Sequence, residues 1–468
     1  MKLPKVKLPH TLVLIYVMVV LTVVATWIVP GGEYQRVEKD GRQMPVADSF
    51  REVAGRPQGV GALFVSPVKG FIDAAAIIAI VFIVGGAFAV IQKTGTVAAF
   101  IQALALKFGR SRALRALLIP STMIVFSLGG AVFGMCEETM PFILIFVPLA
   151  LSLGYDSLVG TAIPFLGAAA GFAGAFFNPF TVGIAQGIVG LPLYSGLGYR
   201  LIVWAIGTAI VIVFVMRYAA RVHKDPRRSP VYEDDLIRKK KYLNGVPGGD
   251  IIEVHPVHTR VLILFLAGMG LLVFGILKYK WYISEIAGLF LAIGILAGLV
   301  GRLKTEEIAR SFVDGAKDMI NAALIIGCAR AILVVATDGK ILDTLLHAMA
   351  GTIAHVHPVI SSQLMFLSQC VINFFVHSGT AQAALTMPIM APLGDLVGIT
   401  RQTAVYAFQL AEYINPVLPT SGVTMGVLGL AQLRWEKWAK WLLPLLAAWI
   451  LFGLLSLIPP VLLRWGPI

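Results

Sequence analysis

Glu137 and Glu138 stand side by side between two apolar stretches, and Arg330 and Glu412 are each isolated inside others. A charged side chain at the centre of a bilayer costs about 2.5–3.5 kcal/mol on insertion scales, so something must repay its retention. Adjacent carboxylates suit a cation: Na⁺, a proton, or the ammonium or guanidinium of a substrate. Arg330 offers a planar fork that fits a substrate carboxylate; the competing use is an internal ion pair with Glu137, Glu138 or Glu412. Glu412 serves either coupling and recognition or simple pairing. Neutral ligands surround these charges. Together they define a candidate substrate site of Glu137, Glu138, Thr139, Asn178, Thr181, Arg330, Ser378, Thr380, Glu412, Asn415, Thr420 and Ser421. The candidate coupling-ion set, for Na⁺ or H⁺, is Glu138, Asn178, Asn415, Glu412 and His377, with a structural hydrogen-bonding role as the alternative for His377. Gln186 and Thr424 complete the polar clusters.

The elements that position these residues carry one instruction twice. Thr139-Met140-Pro141 precedes Asn178-Pro179, and Thr386-Met387-Pro388 precedes Asn415-Pro416. Proline lacks a backbone N–H and clashes with the preceding helical turn, so each Asn-Pro frees polar backbone within an apolar segment. Hydrocarbon does not satisfy those groups; they must face protein or a water-filled cavity, and matched interruptions in two halves point to a transport site. A weaker internal match, Gly85–Ile91 with Gly327–Leu333, shares Gly-x-Ala-x-Ala and two aliphatics.

The chain is 58% hydrophobic and 13% charged over 468 residues, too apolar for a soluble enzyme. Many stretches reach the roughly 20 apolar residues of a membrane span, so the expected class is an all-α polytopic membrane protein. The +13 formal charge sits in short clusters between apolar segments, an orientation signal and not a nucleic-acid surface. Cys136, Cys328 and Cys370 lack metal-ligand spacing and read as packing residues. Placing Lys2, Lys5 and Lys7 in the cytoplasm puts the polar stretch Gly31–Lys69 outside. It also makes Ala116–Leu153 a re-entrant hairpin entered from inside, and Val359–Val397 a second one entered from outside. Residues 1–216 then form a first repeat, 217–259 a basic cytoplasmic loop, and 260–468 an extra helix plus an inverted second repeat ending outside. Arg434-Trp435-Glu436-Lys437-Trp438 reads as an interfacial anchor.

Over nearly its whole length the chain resembles the YfcC-type carriers of the C4-dicarboxylate anaerobic carrier (DcuC) group, close to ArcD-like basic amino-acid antiporters. The resemblance rests on Phe133-Gly-Met-Cys-Glu-Glu-Thr-Met-Pro-Phe142, Phe177-Asn-Pro-Phe-Thr-Val-Gly-Ile-Ala-Gln186, Leu385-Thr-Met-Pro-Ile-Met-Ala-Pro392 and Leu418-Pro-Thr-Ser-Gly-Val423. It implies an ion-transporter-superfamily fold in a bacterial inner membrane, with an elevator-like transport domain working against a homodimeric scaffold. The sequence departs from that pattern at Val376-His377-Ser378, where Val-Pro-Ser is usual, and at Ala411-Glu412-Tyr413, where Gly-Asp-Gly is usual.

The expected function is secondary active transport of a small amino or organic acid. Three glutamates facing one arginine favour a basic amino acid, by arginine/ornithine-type exchange or ion coupling, over a C4-dicarboxylate or short-chain carboxylate. The expected partners are the lipid bilayer, a small-molecule substrate and a second copy of the chain; no nucleic acid and no cofactor beyond Na⁺ or H⁺ is expected. A passive channel and an intramembrane hydrolase are the rivals of another class, the latter without HExxH or GxSxG in the chain.

Overall fold

The structure is a computed structural model and describes residues 11–39, 42–46, 48–97, 99–100, 112–243, 255–279, 281, 283–354 and 356–466. It is all-α apart from four short strands. The helix α1 (Thr11–Ile28) leads into β1 (Gly32–Glu33), β2 (Arg36–Lys39), β3 (Arg42–Pro45) and β4 (Arg51–Glu52), with β1 antiparallel to β4 and β2 to β3. The polar stretch Gly31–Lys69 carries two ribbons and most of a helix, α2 (Val60–Asp73). The chain bends at Ala74 and continues as α3 (Ala75–Lys93).

Next come α4 (Arg112–Phe133) and α5 (Met140–Ser152), the arms of the first expected hairpin, joined by a tip with a short 3₁₀ turn at Glu137–Thr139. Pro141 sits at the start of α5, where its missing N–H costs nothing. The arms meet through Phe126, whose ring lies 4.9 Å from Phe142 and 5.8 Å from Phe146. Both arms pack on α6 (Ser157–Ala173). Glycines permit this: a Cβ at Gly171 would lie 1.8 Å from the Ser127 carbonyl oxygen, and one at Gly160 2.6 Å from Val147 Cα. Asn178-Pro179 interrupts the chain after α6, which resumes through a π turn into α7 (Ile184–Ile188) and then α8 (Leu197–Lys224).

The segment after α8 is not featureless. It folds into α9 (Tyr232–Leu243), while 244–254 of the expected loop lie outside the described residues. Asp235 accepts from the Ser157 N–H at the start of α6 (2.8 Å) and pairs with Arg238 (2.5 Å), both side chains buried; Arg238 also donates to the Gln432 carbonyl. Lys437 pairs with Asp234 at 2.7 Å. The linker thereby fastens one end of each broken helix.

The second half comprises α10 (Pro256–Tyr279), α11 (Ile283–Val300), α12 (Thr305–Lys317), α13 (Ile320–Asp338) and α14 (Leu342–Ile353). The second expected hairpin follows as α15 (Pro358–Phe375) and α16 (Gly379–Leu396). Then come α17 (Arg401–Leu410), a 3₁₀ turn at Ala411–Val417, α18 (Gly422–Leu430), α19 (Trp435–Ser456) and α20 (Ile458–Leu462). Among the described residues six helical segments are long and apolar enough to cross a membrane.

The internal match has a structural counterpart. α1 and α2 pack on α13, and α11 and α12 pack on α3. Gly70 of α2 seats against the backbone of Gly327, where a Cβ would lie 2.4 Å from its carbonyl oxygen; Gly315 of α12 seats against Gly85 at the same 2.4 Å. The two glycines aligned by sequence, Gly85 and Gly327, therefore each receive a glycine of a neighbouring helix.

Candidate functional site

Between the two tips and the two breaks lies a cavity of ≈ 670 Å³. At the first tip Gly134 turns the chain out of α4 with φ +75°, and the Thr139 hydroxyl donates to the Cys136 carbonyl at 2.6 Å. The Glu138 carboxylate folds back to accept from the Cys136 N–H at 2.8 Å. Glu137 and Glu138 both line the cavity.

At the second tip the Val376 N–H closes α15, and Ser378 precedes the first turn of α16 without a side-chain capping bond. His377, Ser378, Gly379 and Thr380 line the cavity, and the Thr380 hydroxyl donates to the Phe180 carbonyl across the first break at 2.8 Å. The two arms are joined by a buried amide chain in which Asn373 donates to Gln382 (2.9 Å) and Gln382 to Gln369 (2.8 Å). Sequence reasoning passed over these three; amides at Gln369 and Asn373, one helical turn apart in an apolar segment, were the available signal.

At the first break the Asn178 side chain accepts from the Phe180 N–H at 2.9 Å, capping the turn that restarts at Pro179. Asn178 Nδ2 and Thr181 Oγ1 are buried without a hydrogen-bond partner. At the second break the Asn415 side chain donates to the His377 carbonyl and to Glu412 Oε2, both at 3.1 Å. Its own carbonyl accepts from the Thr424 hydroxyl at 2.8 Å. Glu412 Oε1 and Thr420 Oγ1 are buried and unpartnered. Glycine brings tip and break together: a Cβ at Gly379 would lie 2.5 Å from Thr181 Cγ2 and 3.0 Å from Glu412 Oε1, and one at Gly134 2.7 Å from Asn178 Oδ1.

Of the residues singled out from sequence, Glu137, Glu138, Arg330, His377, Ser378, Thr380, Asn415, Thr420 and Ser421 line the cavity. Thr139, Asn178, Thr181 and Glu412 stand behind its wall; Glu412 borders a separate ≈ 20 Å³ void. Gln186 is spent elsewhere, accepting from the Tyr194 N–H and donating to Gln402. Three sequence readings change. Arg330 pairs with none of the glutamates: its Nε donates to Asp73, a cavity-lining carboxylate that belonged to no motif. The segment read as an interfacial anchor braces the second break instead, with the Trp435 and Trp438 indoles donating to the Val417 (2.9 Å) and Pro416 (2.8 Å) carbonyls. Cys136 lines the cavity rather than serving packing alone. Among the described residues no group of three or more His, Cys, Asp or Glu could hold a metal ion.

Apolar spans around a cavity that collects charged side chains and is built from interrupted helices define a membrane transport protein. The sequence matches the family described as C4-dicarboxylate anaerobic carrier over residues 8–461, and the chain belongs to that family. It is 37% identical to YfcC of Escherichia coli (strain K12), provisionally named a basic amino acid antiporter, over 92% of this chain and 91% of YfcC. It is 26% identical to an uncharacterized protein of Haemophilus influenzae (strain ATCC 51907 / DSM 11121 / KW20 / Rd), over 97% of both chains. Among solved structures it is similar to the Alcanivorax borkumensis YdaH transporter, with 16% identity, 98% of this chain and 100% of that one covered, and a TM-score of 0.42. Neisseria gonorrhoeae MtrF, of a class of antimetabolite efflux pumps, gives 18% identity, 98% and 96% coverage, and a TM-score of 0.41. The family is one of carriers and not of enzymes.

Proposed function

We propose that this chain is a secondary active transporter of small amino acids, with basic amino acids as its principal cargo, moved by exchange or with a coupling Na⁺ or H⁺. The observation that carries the reading is the composition of the cavity: Asp73, Glu137 and Glu138 face Arg330. An excess of carboxylates favours a cargo with a net positive charge, while one guanidinium accommodates its carboxylate. The provisional name of the E. coli relative agrees. The family description favours a dicarboxylate as the second reading.

In this reading Glu137, Glu138 and Arg330 contact cargo, with Ser378, Thr380, Asn415, Thr420 and Ser421 as neutral ligands. His377 lines the cavity while Thr139, Asn178, Thr181 and Glu412 stand behind it, and the unpartnered Glu412 Oε1 beside Gly379, with the unpartnered Thr181 hydroxyl of the first break, is where a coupling cation would be received. The two halves are inverted repeats, a description supported by the reciprocal packing of α1 and α2 on α13 and of α11 and α12 on α3. Both hairpins are re-entrant and move with the broken helices as an elevator against a homodimeric scaffold. The protein sits in the bacterial inner membrane with its N-terminus in the cytoplasm and its C-terminus outside.

Uptake into proteoliposomes tests this, with labelled arginine, ornithine, succinate and acetate, and with or without imposed Na⁺ and proton gradients. Saturable arginine uptake, competed by ornithine and not by succinate, is expected. Succinate uptake indifferent to arginine would replace the amino-acid reading with the dicarboxylate one.

A further inference from the structure

Asp73 is the last residue of α2, at the bend before α3. Its position is set by backbone contact. Gly70 rests on the Gly327 carbonyl, and a Cβ at Gly327 would lie 2.3 Å from the Phe71 ring, so the last turn of α2 is held on α13 one turn before Arg330. The Asp73–Arg330 pair engages Nε of the guanidinium; among the described residues its terminal nitrogens have no hydrogen-bond partner. The Arg330 and Asp73 side chains are 25% and 48% exposed, and both line the cavity. Glu138 and Glu412, at 6% and 2%, are far more enclosed.

Helix packing does not require this pair. The same glycine-on-glycine seat joins α12 to α3 through Gly315 and Gly85, and there the position aligned with Arg330 is Phe88. A charge pair present in one half, open to the cavity and leaving both terminal nitrogens of its guanidinium unused, has the character of a receptor.

We infer that Asp73 is a specificity-determining residue that, with Arg330, receives the α-amino and α-carboxylate groups of the cargo. The inference rests on reading the cavity as a site for amino acids. The terminal nitrogens of Arg330 take the carboxylate as two parallel hydrogen bonds, the geometry that a guanidinium offers. Asp73 keeps Arg330 oriented through Nε and takes the α-ammonium. The cationic side chain of a basic amino acid then extends toward Glu137 and Glu138. A dicarboxylate would set a second negative charge against Asp73, so the same residue that holds the amine excludes the diacid; discrimination of this kind requires a repulsive element as well as an attractive one.

Binding to the purified full-length protein in nanodiscs tests the assignment with four probes: L-arginine, agmatine (no carboxylate), 5-guanidinopentanoate (no α-amine) and succinate. Wild type is expected to bind arginine about 10- to 100-fold more tightly than either truncated analogue, the worth of one hydrogen-bonded charge. The isosteric Asp73→Asn is expected to bring arginine down to the level of 5-guanidinopentanoate and to strengthen succinate, whose second carboxylate no longer meets a negative charge. Arg330→Met is expected to bring arginine down toward agmatine while agmatine, relieved of a neighbouring positive charge, binds at least as tightly as to wild type, which also reports that the variant is folded. Should Asp73→Asn preserve the arginine preference over 5-guanidinopentanoate, the role of Asp73 is overturned and the amino-acid cargo stands. Tight succinate binding by wild type, with no binding of the three guanidino probes, overturns the cargo reading and this inference with it.

Discussion

The two breaks begin with the same dipeptide and are braced by different parts of the molecule. At the first, the Phe177 N–H donates to the Ala131 carbonyl in the last turn of α4, and the Phe180 carbonyl accepts from Thr380 of the second tip. At the second, the Pro416 and Val417 carbonyls are taken by two indoles on the continuous helix α19, and Trp438 is fully buried. Its bond to a tip runs through the Asn415 side chain to the His377 carbonyl. The first break thus depends on where the hairpins stand, while the second is anchored largely by a helix outside them. Polar backbone freed by proline has to be repaid, and the source of repayment decides which break responds when a tip is displaced.

That contrast orders the expected effects of substitution. Trp438→Ala removes a fully buried side chain together with the partner of the Pro416 carbonyl and should cost about 3–5 kcal/mol, read by SDS-titrated unfolding. An unfolding curve within 1 kcal/mol of wild type would show that α19 does not anchor the second break. Arg238→Met leaves Asp235 buried without its cation and should also cost about 3–5 kcal/mol. Because Arg238 and Asp235 fasten both broken helices, limited proteolysis should then open the linker, whereas an intact linker would count against its role as a strap. Gly134→Ala forces a side chain into the left-handed region, at about 1–2 kcal/mol, and against Asn178 Oδ1. Transport should fall more steeply than the melting temperature, since the strain lies where the first tip meets the first break. Thr380→Val, which removes one hydrogen bond to the Phe180 carbonyl, should cost only about 0.5–1.5 kcal/mol and slow uptake nonetheless. If Thr380→Val melted the protein as Trp438→Ala does, the distinction between a tip-dependent and an anchored break would be lost.

The two charged sites contrast in the same way. Glu137 and Glu138 are visible as a pair because adjacent carboxylates are conspicuous in apolar sequence. Asp73 is not, since a single carboxylate near Lys69 at the start of a span reads as the polar end of that span. Its role depends on Gly70 meeting Gly327, a contact between residues 257 positions apart in the case of the Asp73–Arg330 pair that it sets.

The amino-acid sequence by itself determined the number and order of the interruptions, the position of both tips and the apolar class of the chain. Proline, glycine and hydrophobic runs act within a few residues of themselves, which makes them legible locally. Tertiary structure alone decided which carboxylate Arg330 takes, that Trp435 and Trp438 serve the second break rather than the membrane surface, and that Asn178, Thr181 and Glu412 stand behind the cavity wall. Ion pairs and indole donors choose partners by the register of helices distant in the chain, and many registers satisfy the same composition. Only the close approach of Gly70 to Gly327, of Gly315 to Gly85 and of each tip to its break selects one of them.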